Sequence, residues 1–483
     1  MLKVETIHTN EQSREGPSQV AAPRIWDTSH RWLTIGLVLT VVGAAFEALA
    51  VATILPLTSR DLGGLQLYGW AFSAFMLTNL IGVTVAGGEA DRLGPARPFL
   101  VGVALFVLGL LVSGFAATMP MLIVGRAVQG LGAGVIGSIS YIAIARGYPS
   151  ELKPQMLAVL SSAWVIPGLI GPGLAAVVAE IVGWRWVFLG LVPVMVGAGG
   201  LALHGLRSLD GNPAAPPDWR RALAAVGLAL GAGLLLTGIG VEGVLPRVGL
   251  IAGGLIVAVP ALQYLLPPGT LWAAAALPAA IVVSGLLNMA FFGVDAFVPL
   301  ALTTVRGQST TSAGLALTAA TVTWTTGAWL QARLAPIRGR RQLVWAGLVL
   351  TALGIVATAA LLHPLVPAAL APLAWALAGL GMGVAYSTLS LVVLEHAQDG
   401  QEGRATAGLQ LMNMLGSAIG TGIGGAFIAH SSTTSGTGSG VLRQDLLMLA
   451  VVGLAVLAAY RLPTRSAVTD DGVTSDPPSA RDE

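Results

Sequence analysis

The chain is a succession of long apolar runs separated by short polar segments. A helix that crosses a bilayer needs about 20 apolar residues. On that measure the runs predict helices at 33–57, 69–89, 98–118, 119–146, 155–181 and 186–207. A polar, proline-bearing segment from Ser208 to Arg221 follows, then two more runs at 222–241 and 247–266. Six others lie at 274–302, 312–333, 343–362, 366–396, 404–429 and 442–460, which brings the total to fourteen. The expected class is an all-α polytopic membrane protein. It divides into an N-terminal tail (1–31), a six-helix bundle (32–207), a linker with two additional helices (208–268), a second six-helix bundle (269–462) and a disordered tail (463–483). That last tail is rich in Pro, Ser and Asp and lacks the apolar residues to pay for its own ordering.

The basic residues test this partition independently. With the N-terminus placed in the cytoplasm, nineteen of the 25 Lys and Arg fall in cytoplasmic segments and five in outer loops. Arg126 remains, inside a helix. This is the positive-inside bias, and it predicts a multi-pass protein of the plasma membrane with both termini cytoplasmic. Composition agrees: 10% of residues are charged and mean hydropathy is +0.79, where soluble domains carry about 25% charged residues. The net charge of +2 with no polybasic run gives no reason to expect nucleic acid. With no cysteine and six scattered histidines, no metal or cofactor site is expected. No nucleophile elbow, zinc-protease or phosphate-loop motif appears, so an enzyme is not expected. With the first thirty residues polar, no cleavable signal is expected, and the first helix is expected to serve as the targeting signal.

The chain also repeats itself. GLGAGV at 130–135 returns as GLGMGV at 379–384, and Gly171-Pro172-Gly173 falls on Gly420-Thr421-Gly422 at the same offset of 249. Arg126 then falls on Trp375 and Trp164 on Asn413. Two related halves share a scaffold, and the first half keeps the charge.

Three ionisable residues stand out within the predicted helices: Glu47, Arg126 and Asp295. A charge at membrane depth is expensive, and normally faces a bundle interior and a partner. Arg126 and its neighbour Gln129 lie on a helix whose Gly130, Gly132 and Gly134 allow close packing. The alternative for Arg126 is snorkelling to the headgroups. Glu47 lies about nine residues, ~14 Å, below Pro56. Burial disfavours its charged form and a nearby cation favours it, so Glu47 and Arg126 are expected to interact directly or through water. Protonation would then compete with pairing. The alternative is a static pair that fixes helix register. Asp295, in FFGVDAFVPL, mirrors Glu47 in the second half and is expected to face the same cavity, or else to be solvated by an outer vestibule. Glu180 and Glu395 stand at helix ends and read as interfacial.

Four stretches carry a family resemblance. GGEADRLGPARP at 87–98 resembles the signature loop of the major facilitator superfamily, Gly-x-x-x-Asp-Arg-x-Gly followed by bases. FEALAVATILP at 46–56 resembles the acidic first-helix motif of drug:proton antiporters, with Glu47 where aspartate is usual. LIVGRAVQGLGAG at 122–134 is similar to their fourth-helix motif, whose arginine is tied to proton coupling, and GWRWVF at 183–188 to a stretch of the fourteen-span members. The span-5 motif is partial: Gly171-Pro172 stands, but Pro167, Ala175 and Ala176 replace glycines. The second loop copy, Arg338-Gly339-Arg340-Arg341, has no Asp.

The resemblance implies two pseudo-symmetric six-helix bundles with two extra helices between them, working by alternating access as a proton-coupled antiporter. Its partners would be protons, an amphipathic small-molecule substrate and the lipid bilayer, and a monomer is expected. Glu47, Arg126 and Asp295 would couple protons. Gly87, Asp91, Arg92, Gly94 and Arg97 would latch the cytoplasmic rim, with Asp91 pairing across the gap between halves. Soft or amphipathic side chains suit a promiscuous cavity: Asn79, Gln129, Trp164, Asn288, Met289, Phe292, Trp324, Tyr386, Met412 and Asn413. Each has plain packing as its alternative. Gly130, Gly134, Gly168, Gly171, Pro172, Gly420 and Gly424 would provide close contact and kinking where the halves rock. Two rivals remain: an exporter of lipid or lipid-like molecules in the same fold, and a non-transporting membrane sensor or scaffold.

Overall fold

A computed structural model describes residues 25–27, 30–212, 216, 218–398, 401–434 and 436–464. The expected tails lie almost wholly outside the described residues, as does part of the linker. Fourteen long helical spans are present among the described residues. Spans 1 to 4 are Arg31–Leu62, Tyr68–Leu93, Ala96–Gly114 and Met119–Gly147. Span 5 is two helices, Lys153–Ser162 and Val165–Ile181, and span 6 is Leu191–Leu206 behind a short turn, Arg185–Leu189. Spans 7 and 8 are Trp219–Gly240 and Val244–Leu265. Spans 9 to 14 are Leu277–Asp295, Thr310–Leu334, Arg340–Ala360, Ala371–Glu395, Glu402–Thr434 and Thr437–Ala459.

Thirteen of the spans are long and apolar enough to cross a membrane. Span 10 is the exception in hydropathy because it carries seven threonines. Its hydroxyls return to the helix's own carbonyls, Thr321 to Leu317 at 3.0 Å and Thr326 to Val322 at 3.0 Å. Thr323 reaches span 12, donating to the Ala376 carbonyl at 2.7 Å. Bonded in this way, the hydroxyls tolerate an apolar surrounding.

The two halves have the same internal plan. Span 4 packs on spans 2 and 3 as span 12 packs on spans 10 and 11, and span 1 lies against spans 5 and 6 as span 9 lies against 13 and 14. The repeat explains why. A Cβ on Gly130 would sit 2.1 Å from the Phe75 carbonyl oxygen, and one on Gly134 2.2 Å from that of Asn79. At the equivalent places, Gly379 meets the Ala320 carbonyl oxygen at 2.1 Å and Gly383 that of Trp324 at 2.1 Å. Each half is clamped where two backbones touch, which requires residues without side chains.

The halves meet along two seams, span 2 against span 13 and span 5 against span 10. Span 7 lies over the first seam, on spans 2 and 13, with Leu236 against Gly422. Span 8 packs on span 7 and leaves Val248 and Ile256 exposed, as lipid-facing residues are.

Two spans depart from the expected continuous helices. Span 5 breaks at Ala163–Trp164, whereas the kink was expected at the Gly171-Pro172 set. Pro167 has no N–H to give the carbonyl four residues earlier, that of Ala163. Pro172 remains within a helix. Span 9 ends at Asp295 and continues through Val298–Leu300 and a π turn, Ala301–Val305.

Candidate functional site

Arginines cluster at the face where spans 1, 3 and 5 begin, called the basic face below. The opposite one is the far face. Within the first half, Arg126 and Glu47 form a direct ion pair between spans 4 and 1, with side-chain exposures of 2% and 0%. The Arg126 Nε donates to the Ala71 carbonyl at 3.1 Å, and its guanidinium lies 4.2 Å from the Phe75 ring centre, both on span 2. Gln129 completes the group, accepting from Arg126 at 3.2 Å and donating to Glu47 Oε1 at 3.3 Å. It was expected in the cavity wall, but it is fully buried, beside Gly109 and Ser113 of span 3. Glu47 is held through Oε1 alone, and Oε2 has no hydrogen-bond partner.

The second half repeats this arrangement without the cation. Asp295 of span 9 accepts a hydrogen bond from Trp375 Nε1 of span 12 at 2.7 Å. Trp375 is the residue that falls on Arg126 in the repeat. An acid on the first helix of each half is thus held by the same position of the fourth, ionically in one half and by a neutral donor in the other.

The rim shows a second exchange. Asp91, in the last turn of span 2, pairs with Arg146 at the end of span 4, inside its own half. At the offset of 249 these positions become Arg340 and Glu395, and they too are paired, at 2.7 Å, with charges reversed. Glu395 therefore supplies the acid that the second loop copy lacks. Asp91 makes no cross-half side-chain bond among the described residues: where a pairing across the gap was expected, its partner is Arg146 of its own half. Arg92 leans on Glu89 at 3.5 Å and Arg97 is exposed. Gly94 adopts φ +76° and a Cβ there would meet the Leu209 carbonyl at 2.8 Å, whereas Gly87 faces open space.

Of the cavity residues, five converge in the second half. Trp324 lies 5.8 Å from Tyr386 and 6.1 Å from Phe292 between ring centres, with Phe291 at 5.5 Å. Nearby, Asn413 Oδ1 accepts from Ser284 at 2.6 Å and from Asn288 at 3.0 Å, which leaves its own Nδ2 unpartnered. Met412 packs its side chain on Gly285, and the Met289 carbonyl abuts Gly420. In the first half Asn79 is half-buried with Oδ1 unpartnered, and Trp164 is 51% exposed at the break in span 5.

With this geometry in place, a family model described as Major Facilitator Superfamily matches residues 35–421 and 289–478. The chain belongs to the major facilitator superfamily. A probable multidrug-efflux transporter of Mycobacterium tuberculosis is 27% identical over 463 residues, covering 90% of this chain and 95% of that protein. Multidrug resistance protein 3 of Bacillus subtilis is 30% identical over 166 residues, 34% of this chain and 32% of that one. Among solved structures, a bacterial homologue of the human lysosomal transporter Spinster superposes with a TM-score of 0.63 at 13% identity, covering 90% and 98% of the two chains. As a major facilitator the protein is a multi-pass membrane transporter and not an enzyme.

This major facilitator is closed at its far face. Arg60 donates to the Thr303 carbonyl at 3.0 Å, Tyr68 to that of Ala296 at 3.1 Å, and Ser73 to that of Ala418 at 2.8 Å. Thr311 donates to Glu180 at 3.3 Å, which gives the interfacial Glu180 a partner in the other half. Backbones touch at Gly69–Gly425, and Gly168 packs on Thr321. Gly424 is tight against Phe297, while a Cβ on Gly171 would make only ordinary contact with Phe46 at 3.5 Å. The turn GWRWVF anchors the end of span 1: Trp184 and Arg185 donate to Asp61 at 3.0 and 2.9 Å. Toward the basic face, by contrast, Tyr141, Trp164 and Trp329 are exposed.

One buried acid escaped the sequence reading. Asp445 lies within the helix expected over 442–460, which begins earlier, at Thr437. The residue is 0% exposed. The heptad-like run of apolar residues around it, from Val441 to Val452, was the available signal.

Proposed function

We propose that the protein exports amphipathic small molecules, drug-like compounds or metabolites, in exchange for protons by alternating access. It would do so in the cell membrane, as a monomer, with the basic face and both termini in the cytoplasm. The positive-inside bias supports this orientation, and on it the closed far face lies outside. The observation that carries the reading is the enclosed Glu47–Arg126–Gln129 group. Protonation at the free Oε2 would neutralise Glu47 without displacing Gln129 and would weaken its hold on Arg126. A proton arriving at Glu47 would therefore bias how span 1 sits against span 4, and a ligand favouring one arrangement would compete with the proton. The names of the efflux relatives support the direction of transport. A proton moving inward adds about 2.3 kcal/mol per 100 mV, enough for a modest concentration gradient.

The aromatic and amide cluster of Trp324, Tyr386, Phe292 and Asn413 suits a substrate with an apolar body and a polar end. Export of a lipid-like molecule is the second reading, favoured by the exposed Trp164 and Trp329 flanking the seam between spans 5 and 10. Proteoliposomes with an imposed pH gradient distinguish these. Lipophilic cations should be moved by the wild type and at least tenfold less by Glu47→Gln. Movement of labelled lipid alone would establish the second reading. Movement of neither would leave a sensor or scaffold and sink the transport proposal.

A further inference from the structure

Arg97 and Arg207 line one cleft of about 320 Å³ at the basic face, between the start of span 3 and the end of span 6. Among the described residues neither guanidinium has a hydrogen-bond or ion-pair partner. By contrast, Arg146 and Arg340 at this face are held by carboxylates, and Arg341 by the Leu462 carbonyl at 2.7 Å. Asp210 of the linker also lines the cleft but pairs with neither arginine, so the lining keeps a net positive charge. Span 3 begins at Ala96 behind Pro95 and has no side-chain cap. The amides of its first turn have no partner within the helix and add to the positive potential.

The rest of the lining is apolar. Leu93, Leu100 and Leu203 form the wall, and Leu100 is 52% exposed. Spans 3 and 6 pack together below it, with Val103 against Gly199. One helical turn deeper than Leu100 and Leu203 stand Ala104 and Gly200, both exposed, and a Cβ on Gly200 would meet open space. Two small residues beside a packed seam leave a shallow furrow that runs from the cleft along the outer surface of the bundle. The opposite edge of the cleft is the linker, tied to the loop after span 2: the Asn212 amide donates to the Asp91 carbonyl at 2.8 Å, and Gly211 lies against the Gly94 backbone. An occupant would therefore touch span 3, span 6 and the linker at once.

Cationic side chains at the end of a span, above an apolar strip, match a molecule with an anionic head and a hydrocarbon tail. A soluble anion would use the arginines and leave the strip idle. Basic pockets between membrane helices take acidic lipid headgroups for this reason. We propose that the cleft binds an anionic phospholipid, its headgroup phosphate between Arg97 and Arg207 and an acyl chain along the furrow between spans 3 and 6. The site lies on the outside of the first half, and its occupancy does not depend on what the protein carries or in which direction.

Native mass spectrometry of the purified full chain in detergent tests this, with phosphatidylglycerol and phosphatidylcholine of identical acyl chains as probes. Phosphatidylglycerol should bind the wild type more tightly than phosphatidylcholine. Arg97→Gln and Arg207→Gln should each weaken it about fivefold, and the two together ~25-fold. Asp210→Asn, which removes the opposing charge, should tighten it. Arg338→Gln removes one charge from the same face outside the cleft and should change nothing. Gly200→Leu alters no charge and fills open space on a helix, so it keeps the proposal testable should the arginine variants fail to fold; it should weaken binding by obstructing the furrow. As a second readout, phosphatidylglycerol should raise the thermal unfolding midpoint of the wild type more than phosphatidylcholine does, and the double arginine variant should lose that difference. An equal loss in Arg338→Gln would reduce the effect to general attraction by a basic surface and overturn the proposal. Binding unchanged in Gly200→Leu, with inorganic phosphate displacing the lipid completely, would assign the cleft to a soluble anion and overturn it as well.

Discussion

Arg126 stays charged at any attainable pH, whereas Glu47 can discharge by taking a proton. The two halves of the pair are therefore not equivalent. Glu47→Gln leaves a buried cation with no counter-charge, and breaking a buried pair in this way costs about 3–5 kcal/mol. Arg126→Met leaves an acid that neutralises itself. Thermal unfolding in detergent should accordingly show a larger loss for Glu47→Gln than for Arg126→Met, with partial recovery in the double variant. The opposite order would mean that Arg126 is not buried as described. Among the described residues the hydrogen-bond partner of Asp295 is the Trp375 indole, so Trp375→Phe should lower stability by about 1–2 kcal/mol and leave Glu47 chemistry unchanged. Glu47 and Arg126 were legible in the sequence because charges inside apolar runs stand out. Their bond to Gln129 was not, because an amide beside a glycine run reads equally well as cavity wall. Trp375 as a partner for Asp295 was within reach, since the repeat offset places it on Arg126.

At the scale of helices, the glycines divide by what faces them. A Cβ on Gly130 would collide with the Phe75 backbone, and one on Gly379 with that of Ala320, whereas Gly137 has nothing within 4 Å. Gly130→Ala and Gly379→Ala should each destabilise by about 1–3 kcal/mol or more. Gly137→Ala should be neutral or stabilise by up to about 1 kcal/mol. Unfolding midpoints of the three variants check this directly, and equal midpoints would contradict the clamped-backbone account. Number and order of the spans were readable because length and hydropathy suffice for them. Interruptions were less so. Span 5 breaks one turn before Pro167, where the lost N–H acts, while the motif-based expectation fell on Gly171-Pro172. Span 14 begins at Thr437, five residues before the apolar run expected from 442. The charge-exchanged rim pairs, Asp91–Arg146 and Arg340–Glu395, follow from the same offset as the glycines, but only if acids and bases are allowed to swap.

For the molecule as a whole, the halves are joined at the far face by Arg60, Tyr68, Ser73 and Thr311. At the basic rim, Asp91 and Arg92 pair within their own half, with Arg146 and Glu89. Ser73 and Thr421 are 3.1 Å apart between hydroxyl oxygens across the first seam. Oxidation of the Ser73→Cys, Thr421→Cys pair should cross-link the halves, stop transport, and release it again on reduction; transport unaffected by the cross-link would exclude opening along that seam. Span 7 covers this seam, so lateral access from the bilayer is left to the seam between spans 5 and 10. The central claim is that substrate and proton compete through the Glu47–Arg126 pair. Proton release from purified, detergent-solubilised protein on adding lipophilic cations tests it most directly, with wild type, Glu47→Gln and Asp295→Asn matched for folding by size exclusion. The account predicts release from the wild type and Asp295→Asn and none from Glu47→Gln. Undiminished release from Glu47→Gln would contradict it and move the coupling acid into the second half.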